Sequence, residues 1–359
     1  MQALVKYEKG PGNVELREMP EPPCHDGQVK IEVNWCGVCG TDLHVLHDTF
    51  RNYPPVILGH EFSGVVVEMG REVTRVNTGD RVTVFPAMAV TCGECIYCRM
   101  GNIMFCPNRR GMGHGVNGAF TKYAVVKQAQ AYKIPDDMPL DEAAVCEPFA
   151  ACVQAVTELT TVRLGDVALV SGPGPIGLLC LKLLAAEGIK TIVAGTSADA
   201  ARLAMAKQLG ADVIVNVSES DWLEVILQET HGLGVDAAFE CSGHPASVKN
   251  CLQAVRKLGS YTQVGICGRE ITVEFDQIFY KQLKVAGSVG YTAATWARVI
   301  RILAQGRVRL GDLISHRLPL AEWEQGFALC ERKEGLKVLL TPAAWSARIS
   351  RVERPHPAG

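Results

Sequence analysis

The residues best suited to do chemistry lie early in the chain and are of mixed type. Cys39 supplies a thiol, His60 an imidazole and Glu61 a carboxylate. A catalytic zinc is held by such a mixed set when one coordination position must stay open for substrate. Thr41 and His44, close to Cys39, suggest a route for a proton from a hydroxyl to an imidazole. A lone cysteine or histidine is more often a core residue, so the prediction of a catalytic zinc depends on this grouping.

A second set consists of four cysteines in one short stretch. Two-residue spacers separate the first three, seven residues precede the fourth, and the members are Cys92, Cys95, Cys98 and Cys106. Four thiolates can close tetrahedrally around zinc and leave no position for substrate. The spacing therefore predicts a structural zinc that braces a lobe of the chain, and two zinc ions per chain in all.

A glycine-rich turn follows a predicted buried strand at 166–171 and precedes a predicted helix at 178–187. It contains Gly172, Gly174, Pro175, Ile176 and Gly177. The order strand, G-x-G-x-x-G, helix is typical of a turn that holds a dinucleotide pyrophosphate at a helix N-terminus. A plain tight turn is the alternative, but the flanking elements favour cofactor binding.

The end of the next predicted strand bears on which dinucleotide binds. An acid that bonds the ribose of NAD usually lies there, about 20 residues past the glycines, whereas this chain has Gly195, Thr196 and Ser197, with Arg202 further on. Without the acid a 2′-phosphate is not repelled, and the two hydroxyls can donate hydrogen bonds to it, so the pattern leans towards NADP. Asp199 is the counterargument, because a longer turn would bring its carboxylate to the ribose. Four further cofactor-binding positions are predicted: Cys241, Val264, Gly265 and Val289.

Length and composition limit the classes of protein. At about 150 residues per domain, 359 residues predict two domains. A net charge of −2 is no basis for binding nucleic acid or an acidic membrane, so a small-molecule partner is expected. The N-terminus alternates like a strand rather than a secretory signal, and no apolar run reaches the roughly 18 residues of a membrane span. The 14 cysteines lie in metal-type or apolar settings, which indicates a cytoplasmic protein.

The pattern along the chain predicts the α/β class. Short strand-like runs fill 1–135 and predict an antiparallel, barrel-like region, and a helical pattern follows at 140–158. Strands and helices then alternate as in a doubly wound parallel sheet, with a helix predicted over 246–258. A last strand is predicted over 335–340. The predicted division is a catalytic domain at 1–150 and 288–341, a dinucleotide-binding domain at 151–287, and a surface tail at 342–359.

In this order the motifs resemble the zinc-dependent medium-chain dehydrogenase/reductase family of alcohol dehydrogenases. Within it the chain is similar to the polyol branch, which includes sorbitol and threonine dehydrogenases. The resemblance covers nearly all of 1–341 and rests on the run from Cys39 to His44, Gly59-His60-Glu61, the four cysteines, Glu147-Pro148 and the glycine turn. It implies a GroES-like β-barrel catalytic domain, a Rossmann dinucleotide domain, and a homo-oligomer that is a dimer or a tetramer.

The resemblance also implies roles. Cys39 and His60 look like the constant zinc ligands, while both Glu61 and Glu147 stand where a glutamate can reach the metal. The implied reaction is reversible hydride transfer between NAD(P) and an alcohol or its ketone, the alcohol being a polyol, sugar alcohol, amino alcohol or hydroxy amino acid. The proton would leave through Thr41, the cofactor ribose and His44.

Three alternatives to this reaction follow from the residues. Gly290 stands where sorbitol dehydrogenases carry an arginine before a tyrosine, which speaks against sorbitol itself, and a simple-alcohol dehydrogenase is a rival. The cysteine cluster also suits a zinc-ribbon nucleic-acid module, but the near-neutral charge speaks against it. A non-enzymatic nucleotide-binding relative is the third, and the intact Cys39, His60 and Glu61 speak against that.

Overall fold

The protein is described by a computed structural model that covers residues 1–219 and 221–342. All but the first residue of the tail predicted at 342–359 lies outside the described residues. The strands are β1 (Gln2–Lys6), β2 (Val14–Glu18), β3 (Gln28–Gly37), β4 (Val56–Ile57), β5 (Glu61–Met69), β6 (Arg81–Val84), β7 (Tyr123–Lys127), β8 (Ala131–Lys133), β9 (Val167–Ser171), β10 (Lys190–Gly195), β11 (Val213–Asn216), β12 (Val235–Glu240), β13 (Val255–Gln263), β14 (Lys284–Gly287), β15 (Ile314–Pro319) and β16 (Lys337–Thr341). The α-helices are α1 (Gly40–Leu46), α2 (Ile96–Arg99), α3 (Leu140–Ala144), α4 (Cys146–Val153), α5 (Pro175–Ala186), α6 (Ala200–Gln208), α7 (Trp222–Glu229), α8 (Pro245–Ala254), α9 (Asp276–Lys281), α10 (Ala293–Ala304) and α11 (Trp323–Glu331).

Two compact units divide the chain. The first contains Met1–Glu147 and the described residues from Arg309 onwards, and the second contains Pro148–Val308. No helix in the described part of the chain is both long enough and apolar enough to cross a bilayer.

The return to the first unit comes later than the predicted position 288. Residues 288–308 belong to the second unit. There the Thr295 hydroxyl donates to the Gln154 side chain at 2.6 Å, and Arg298 pairs with Glu158 at 2.8 Å. Loosened periodicity in the sequence marked a change of pattern, but these contacts decide which core the segment joins.

The first unit is built from two sheets. One has seven strands in the order β15-β16-β3-β5-β6-β8 with β7 paired to β3, and the other has the order β2-β1-β4. All neighbours are antiparallel except β15 and β16, which run parallel. Alternate residues of β3, namely Val29, Ile31 and Val33, are fully buried in the apolar core. Strand β16 pairs with the end of β3, so the last described strand lies beside the residues that lead to Cys39.

The second unit is a parallel sheet with helices between its strands. Its order is β11-β10-β9-β12-β13-β14, and every neighbouring pair is parallel. Counted from β9 this is the order 3-2-1-4-5-6 of dinucleotide-binding sheets, in which the ligand lies where the order reverses. Strand β9 reads Val-Ala-Leu-Val-Ser, the apolar run expected of a strand covered on both faces. The order reverses between β9 and β12, so the carboxyl ends of these two strands are the expected cofactor edge.

Two predicted helices differ in extent from the structure. The helix predicted over 246–258 ends at Ala254, because Val255 pairs with Val235 and begins β13. The helix predicted over 140–158 is divided into α3 and α4 and ends in a π-helical turn, Gln154–Glu158. Apolar periodicity predicted both helices, but it gives no information on the strand pairing that ends one of them.

Candidate active site

Cys39, His60 and Glu61 come together in the first unit. Cys39 follows β3 and is the residue before α1, while His60 and Glu61 lie at the start of β5. The antiparallel register sets Gly37 of β3 opposite Glu61. One sulfur, nitrogen or oxygen atom from each of the three side chains lies within 4.8 Å of the others. A thiolate, an imidazole and a carboxylate at this separation are a donor set that fits zinc.

Asp42 contacts the residues of this group on the side away from the converging donors. The sequence analysis did not identify it. It is buried, and its carboxylate accepts hydrogen bonds from the backbone N–H groups of Cys39 at 2.9 Å and Gly59 at 3.3 Å. The same carboxylate lies 3.7 Å from Nδ1 of His60. A carboxylate behind a ligating imidazole orients the ring and makes it a better donor. The signal was available, since an acid at the third position of a helix often bonds back to its start.

Lys337 is a further member of the site. It begins β16, and its buried Nζ donates to the Glu61 carboxylate and lies 3.5 Å from the Val38 carbonyl oxygen. Glycine is required at position 37, because a Cβ there would collide with the Glu61 carboxylate. Nothing in the sequence linked Lys337 to Glu61, since 276 positions separate them and only the pairing of β16 with β3 brings them together.

The electrostatics of this group favour a cation. Burial by itself lowers the pKa of His60, but the negative charges of Cys39 and Asp42 outweigh it and raise that pKa well above its ordinary value. Burial likewise lowers the pKa of Lys337, and the attraction of Glu61, Cys39 and Glu147 more than reverses it. Acidic groups thus predominate in a buried environment, and such an environment favours a divalent cation.

Glu147, Thr41 and His44 lie around the three converging side chains. Glu147 is on α4, and although its charge is felt at Lys337, its carboxylate is not in the converging group. The Thr41 hydroxyl lies 3.6 Å from Cys39 Sγ. His44, on α1, is exposed, and its Nδ1 is 3.0 Å from the Thr49 hydroxyl. The structure therefore sets a hydroxyl beside the thiol and an imidazole at the surface.

The four cysteines of the predicted structural zinc also come together, around α2. Cys92 Sγ lies 3.9 Å from Cys98 Sγ and 3.6 Å from Cys106 Sγ, and the edge of a tetrahedron with Zn–S bonds of about 2.3 Å is about 3.8 Å. The N–H of Cys95 donates to Cys92 Sγ at 3.4 Å. Together with the N–H of Glu94 it lowers the pKa of Cys92 to about 6. These sulfurs fit a tetrahedral zinc, and backbone donors favour their thiolate form.

The glycine turn of the second unit is shaped for a ligand at its middle. Gly172 has a φ of 100°, and a Cβ there would lie 2.8 Å from the Ser242 side chain. A Cβ at Gly177 would collide with the Gly172 carbonyl, but one at Gly174 would meet no atom within 4 Å. Pro175 begins α5, and the Ile176 carbonyl accepts from the Cys152 thiol at 3.4 Å. Two glycines therefore permit close packing, and the third leaves the helix N-terminus open to a phosphate.

The end of β10 differs from the expectation that favoured NADP. The Thr196 hydroxyl donates to the Asp199 carboxylate at 2.8 Å, and the Ser197 hydroxyl donates to Glu219 at 2.9 Å. The hydroxyls assigned to a 2′-phosphate are thus engaged with acids, and a phosphate would meet their negative charge. Arg202, on α6, is half-buried and already takes part in interactions of its own. Asp199 does bring a carboxylate to this strand end, but through a short turn and not through the longer turn that the counterargument supposed.

Three of the four other predicted cofactor positions, Cys241, Val264 and Gly265, adjoin a buried acid, Glu240. Its carboxylate accepts from the side chains of Ser242, Ser247 and Gln263, each at 2.6 Å, and from the Gly243 N–H at 3.0 Å. Its carbonyl accepts from the N–H groups of Val264 and Gly265 at 2.8 Å, while the Cys241 N–H donates to Ser171 at the end of β9. Val289, beyond β14, is 57% exposed. Glu240 thus ties together the strand ends beside the glycine turn, a role that its apolar strand did not reveal.

Comparison with known proteins identifies this combination. Residues 25–136 match the alcohol dehydrogenase GroES-like domain, and residues 175–305 match the zinc-binding dehydrogenase domain. Sorbitol dehydrogenase of Halalkalibacterium halodurans is 38% identical over 95% of this chain and 99% of its own length. D-arabitol-phosphate dehydrogenase of Enterococcus avium is 35% identical over 95% and 97%. A structure from Sinorhizobium meliloti described as a zinc-binding dehydrogenase bound to NADP superimposes with a TM-score of 0.88 at 31% identity, covering 95% and 99%.

Fold and site together define a zinc-binding dehydrogenase that uses a nicotinamide cofactor. The chain belongs to the zinc-dependent medium-chain dehydrogenase/reductase family, among its polyol dehydrogenases. The predicted α/β class, with a GroES-like and a Rossmann domain, and the predicted enzyme class are confirmed. The protein is an alcohol oxidoreductase with a small-molecule substrate, while the ligand and cofactor residues stay predictions.

Proposed function

We propose that the protein oxidises a secondary alcohol reversibly, with the hydride passing to a nicotinamide dinucleotide. The substrate class is a polyol, sugar alcohol, amino alcohol or hydroxy amino acid. The observation that carries the proposal is the convergence of Cys39, His60 and Glu61 in a chain whose second unit has the dinucleotide-binding strand order.

Cys39, His60 and Glu61 would hold a catalytic zinc, and the four cysteines around α2 would hold a structural one, which makes two per chain. A bound catalytic zinc supplies Lewis-acid chemistry. For a water ligand it lowers the pKa to roughly 7, a change worth about 12 kcal/mol. Glu61 is proposed as the third protein ligand in preference to Glu147, because only Glu61 lies in the converging group.

The chain's own residues orient the reactants and move the proton. Asp42 fixes Cys39 and the turn at Gly59, and Lys337 holds the Glu61 carboxylate. The Thr41 hydroxyl relays the proton released by the alcohol, accepting it while giving up its own, and the exposed His44 imidazole releases a proton to solvent. General acid–base help of this kind contributes about 10²- to 10⁴-fold.

The test is a screen of cofactor reduction by the zinc-loaded protein. Polyols, amino alcohols, hydroxy amino acids and simple primary alcohols are offered with NAD and with NADP, and nicotinamide absorbance is followed. We expect turnover with polyols or hydroxy amino acids to exceed turnover with simple alcohols of the same chain length. Absence of reduction with every alcohol would exclude the proposed reaction, and a preference for simple alcohols would exclude the proposed substrate class.

For the cofactor we propose NAD over NADP. The support for NAD is the pair of carboxylates, Asp199 and Glu219, which accept hydrogen bonds from the hydroxyls at the end of β10. Replacing both (Asp199→Asn with Glu219→Gln) should shift the ratio of kcat/KM towards NADP at least tenfold, since about 1.4 kcal/mol suffices. The ratio is measured at one ionic strength, because salt screens such contacts. Gly195→Asp is a less clean test, because a Cβ there lies 3.0 Å from the Pro173 ring. An unchanged ratio in the double variant would mean that these acids do not read the ribose.

We also propose a homo-oligomer assembled through β14, the last strand of the parallel sheet. Among the described residues β14 pairs on one side only, with β13, and large apolar side chains around it are exposed: Ile266, Phe275, Phe279, Tyr280, Val285 and Val289. An apolar sheet edge of this kind pairs with another chain or is covered. We expect sedimentation to show a dimer or tetramer that Val285→Lys weakens. A monomer at micromolar concentration would refute the assembly.

A further inference from the structure

Glu240 is a fully buried carboxylate at the carboxyl end of β12. It is 0% exposed, and uncharged groups donate hydrogen bonds to it. The Ser242 and Ser247 hydroxyls and the Gln263 side-chain amide each donate at 2.6 Å. The N–H groups of Ser242 and Gly243 donate at 3.0 Å. A carboxylate accepts at both oxygens and donates at neither, so it can gather these donors at one point.

The donors come from separate segments that border the glycine turn. Two of them follow β12, one is on α8, and one is the last residue of β13. The Gly265 N–H, just after β13, donates to the Glu240 carbonyl at 2.8 Å. A Cβ on Gly265 would collide with the Gly243 nitrogen, so the loops after β12 and β13 are in contact. Glu240 therefore fixes the spacing of these two loops.

The loop after β12 also packs against the turn that would hold the pyrophosphate. The Ser247 hydroxyl lies 2.6 Å from the hydroxyl of Ser171, the last residue of β9. Gly172 follows, and a Cβ on it would lie 2.8 Å from the Ser242 side chain. Glu240 thus holds this loop against one wall of the glycine turn.

The strand order assigns the two loops to one half of a dinucleotide. Sheets of this order consist of two mononucleotide-binding halves, and here β9, β10 and β11 form the first and β12, β13 and β14 the second. The adenosine ribose is read at the end of the second strand of the first half, which is the end of β10. The loops that Glu240 fixes belong to the second half, which is left for the nicotinamide nucleotide.

We propose that Glu240 is a positioning residue for the nicotinamide half of the cofactor. It acts through the backbone of the loops after β12 and β13, which it holds at the spacing that the nicotinamide nucleotide requires. The adenosine half depends on it much less. The inference rests on the dinucleotide site of the proposed function and deepens it, because it names the residue that shapes one half of that site.

Glu240→Gln tests this role with almost no change in side-chain shape. The variant replaces one carboxylate oxygen by an NH2 group, which donates where an acceptor is needed. A hydroxyl can reverse its role, but the backbone N–H groups of Ser242 and Gly243 cannot. In either orientation of the new amide, one of these buried N–H groups faces the NH2. We therefore expect the loop after β12 to shift.

The Gln263 amide cannot adapt to the variant either. Its Oε1 accepts from the Tyr261 hydroxyl. Its Nε2 donates to the Gly265 carbonyl at 2.7 Å as well as to Glu240. A flipped Gln263 amide would set its oxygen against the Gly265 carbonyl, so the loop after β13 should shift as well.

The experiment compares the whole dinucleotide with its adenosine half. NADH is titrated by nicotinamide fluorescence, and AMP by calorimetry, into the full chain loaded with zinc. For Glu240→Gln we expect the Kd of NADH to rise at least about tenfold, because buried donors lose their acceptor, and the Kd of AMP to rise by no more than about threefold. In steady-state kinetics, KM for NAD should rise about tenfold while kcat stays within about threefold of wild type.

Asp236→Asn is the matched control on the same strand. Asp236 lies at the end of β12 away from the glycine turn, and its carboxylate also accepts a backbone N–H, that of Val167 at 2.7 Å. It pairs with Arg256 at 2.6 Å. The control should melt at a lower temperature than wild type but keep the wild-type ratio of NADH affinity to AMP affinity.

A milder variant keeps the test available if Glu240→Gln does not fold. Ser247→Ala removes one donor and introduces none, so the Kd of NADH should rise about threefold while that of AMP is unchanged. Equal weakening of NADH and AMP in the variants would overturn the inference, because it would show a general loss of structure. Unchanged NADH affinity would overturn it too.

The same measurements separate this inference from the proposed reaction. If NADH affinity falls selectively while no alcohol is oxidised by the wild type, the reaction is wrong and the positioning role stands. If alcohols are oxidised and the variants keep the wild-type NADH affinity, the positioning role is wrong and the reaction stands. A wild type that binds AMP but not NADH would refute both.

Discussion

The two zinc-type sites of the first unit contain similar donor atoms but are assembled in different ways. The four cysteines of the structural set are neighbours in sequence, and backbone N–H groups of the same loop donate to three of their sulfurs. The catalytic set takes Cys39 from the turn after β3, His60 and Glu61 from the beginning of β5, and the supporting Lys337 from β16. One site is local, whereas the other exists only where three strands meet.

The chemistry of the two sites follows from this difference. Four like ligands on a short loop can enclose an ion and leave no opening, which suits a brace. Three unlike ligands drawn from two separate segments leave room for substrate. Two of them have a charged neighbour that can tune them, Asp42 for His60 and Lys337 for Glu61. The comparison predicts that changes at the catalytic set affect turnover first, and changes at the cysteine set affect stability first.

The largest effect is expected for Cys39→Ser. Loss of this proposed zinc ligand should lower kcat/KM by at least about 10³-fold, because a catalytic zinc would supply several kcal/mol of the barrier reduction. The free energy of unfolding should change by less than about 1 kcal/mol, since Cys39 is only half-buried. Zinc content by mass spectrometry should fall from two ions to one, and Cys24→Ser, at a cysteine outside both sites, is the control. A variant that loses stability but keeps turnover would erase the proposed difference between the sites.

The next effect concerns Lys337, which only the catalytic set possesses. In the metal-free protein, Lys337→Met should destabilise the fold by about 3–5 kcal/mol, because it leaves the buried Glu61 carboxylate without its ion pair. Adding Glu61→Gln removes the stranded charge and should recover most of the loss. Denaturant midpoints measure both variants. If the single and double variants are equally unstable, the pair does not act as a unit.

The cysteine set is tested by Cys95→Ser. An open coordination position should destabilise the loop around α2 by several kcal/mol, because metal binding contributes directly to folding. Turnover per folded, zinc-loaded molecule should stay within about threefold of wild type, since no residue of this set faces the catalytic donors. Hydrogen exchange locates the loss of protection. Protection lost around β5 instead of around α2 would show that the two sites are coupled.

The smallest effect is a pH dependence from His114, beside the catalytic set. Burial first, and then nearby positive groups, lower its pKa from 6.5 to about 4. The unfolded chain therefore binds a proton at higher pH than the folded chain, so stability present above pH 6.5 is lost as the pH falls towards 4. Between pH 7 and 5 the loss is about 2 kcal/mol. His114→Asn should lack this contribution. Subtracting the free energy of unfolding of the variant from that of the wild type at each pH cancels the contribution of the zinc-type ligands. A parallel pair of curves would contradict the lowered pKa.

The cofactor region shows how far residue patterns carried the prediction. The glycine turn was recognised because its glycines are demanded by local geometry, as the positive φ of Gly172 and the close contact of Gly177 with that residue show. The prediction that Thr196 and Ser197 donate hydrogen bonds to a phosphate did not take into account the carboxylates beside them. Glu219 reaches Ser197 from the turn after β11, and this pairing is visible only when two strands are side by side.

The sequence by itself predicted two units, two metal-type donor sets and the glycine turn, because each prediction depends on residue type and short spacing. Tertiary structure decided which distant groups complete them. Strand β16 was predicted as a strand, but its pairing with β3 delivered Lys337 to Glu61, and the pairing of β12 with β13 set Gln263 beside Glu240. Short-range patterns record what one segment needs to fold. Charges that meet across strands and loops depend on the whole chain, since burial and neighbouring charge, not spacing, set their partners and their pKa values.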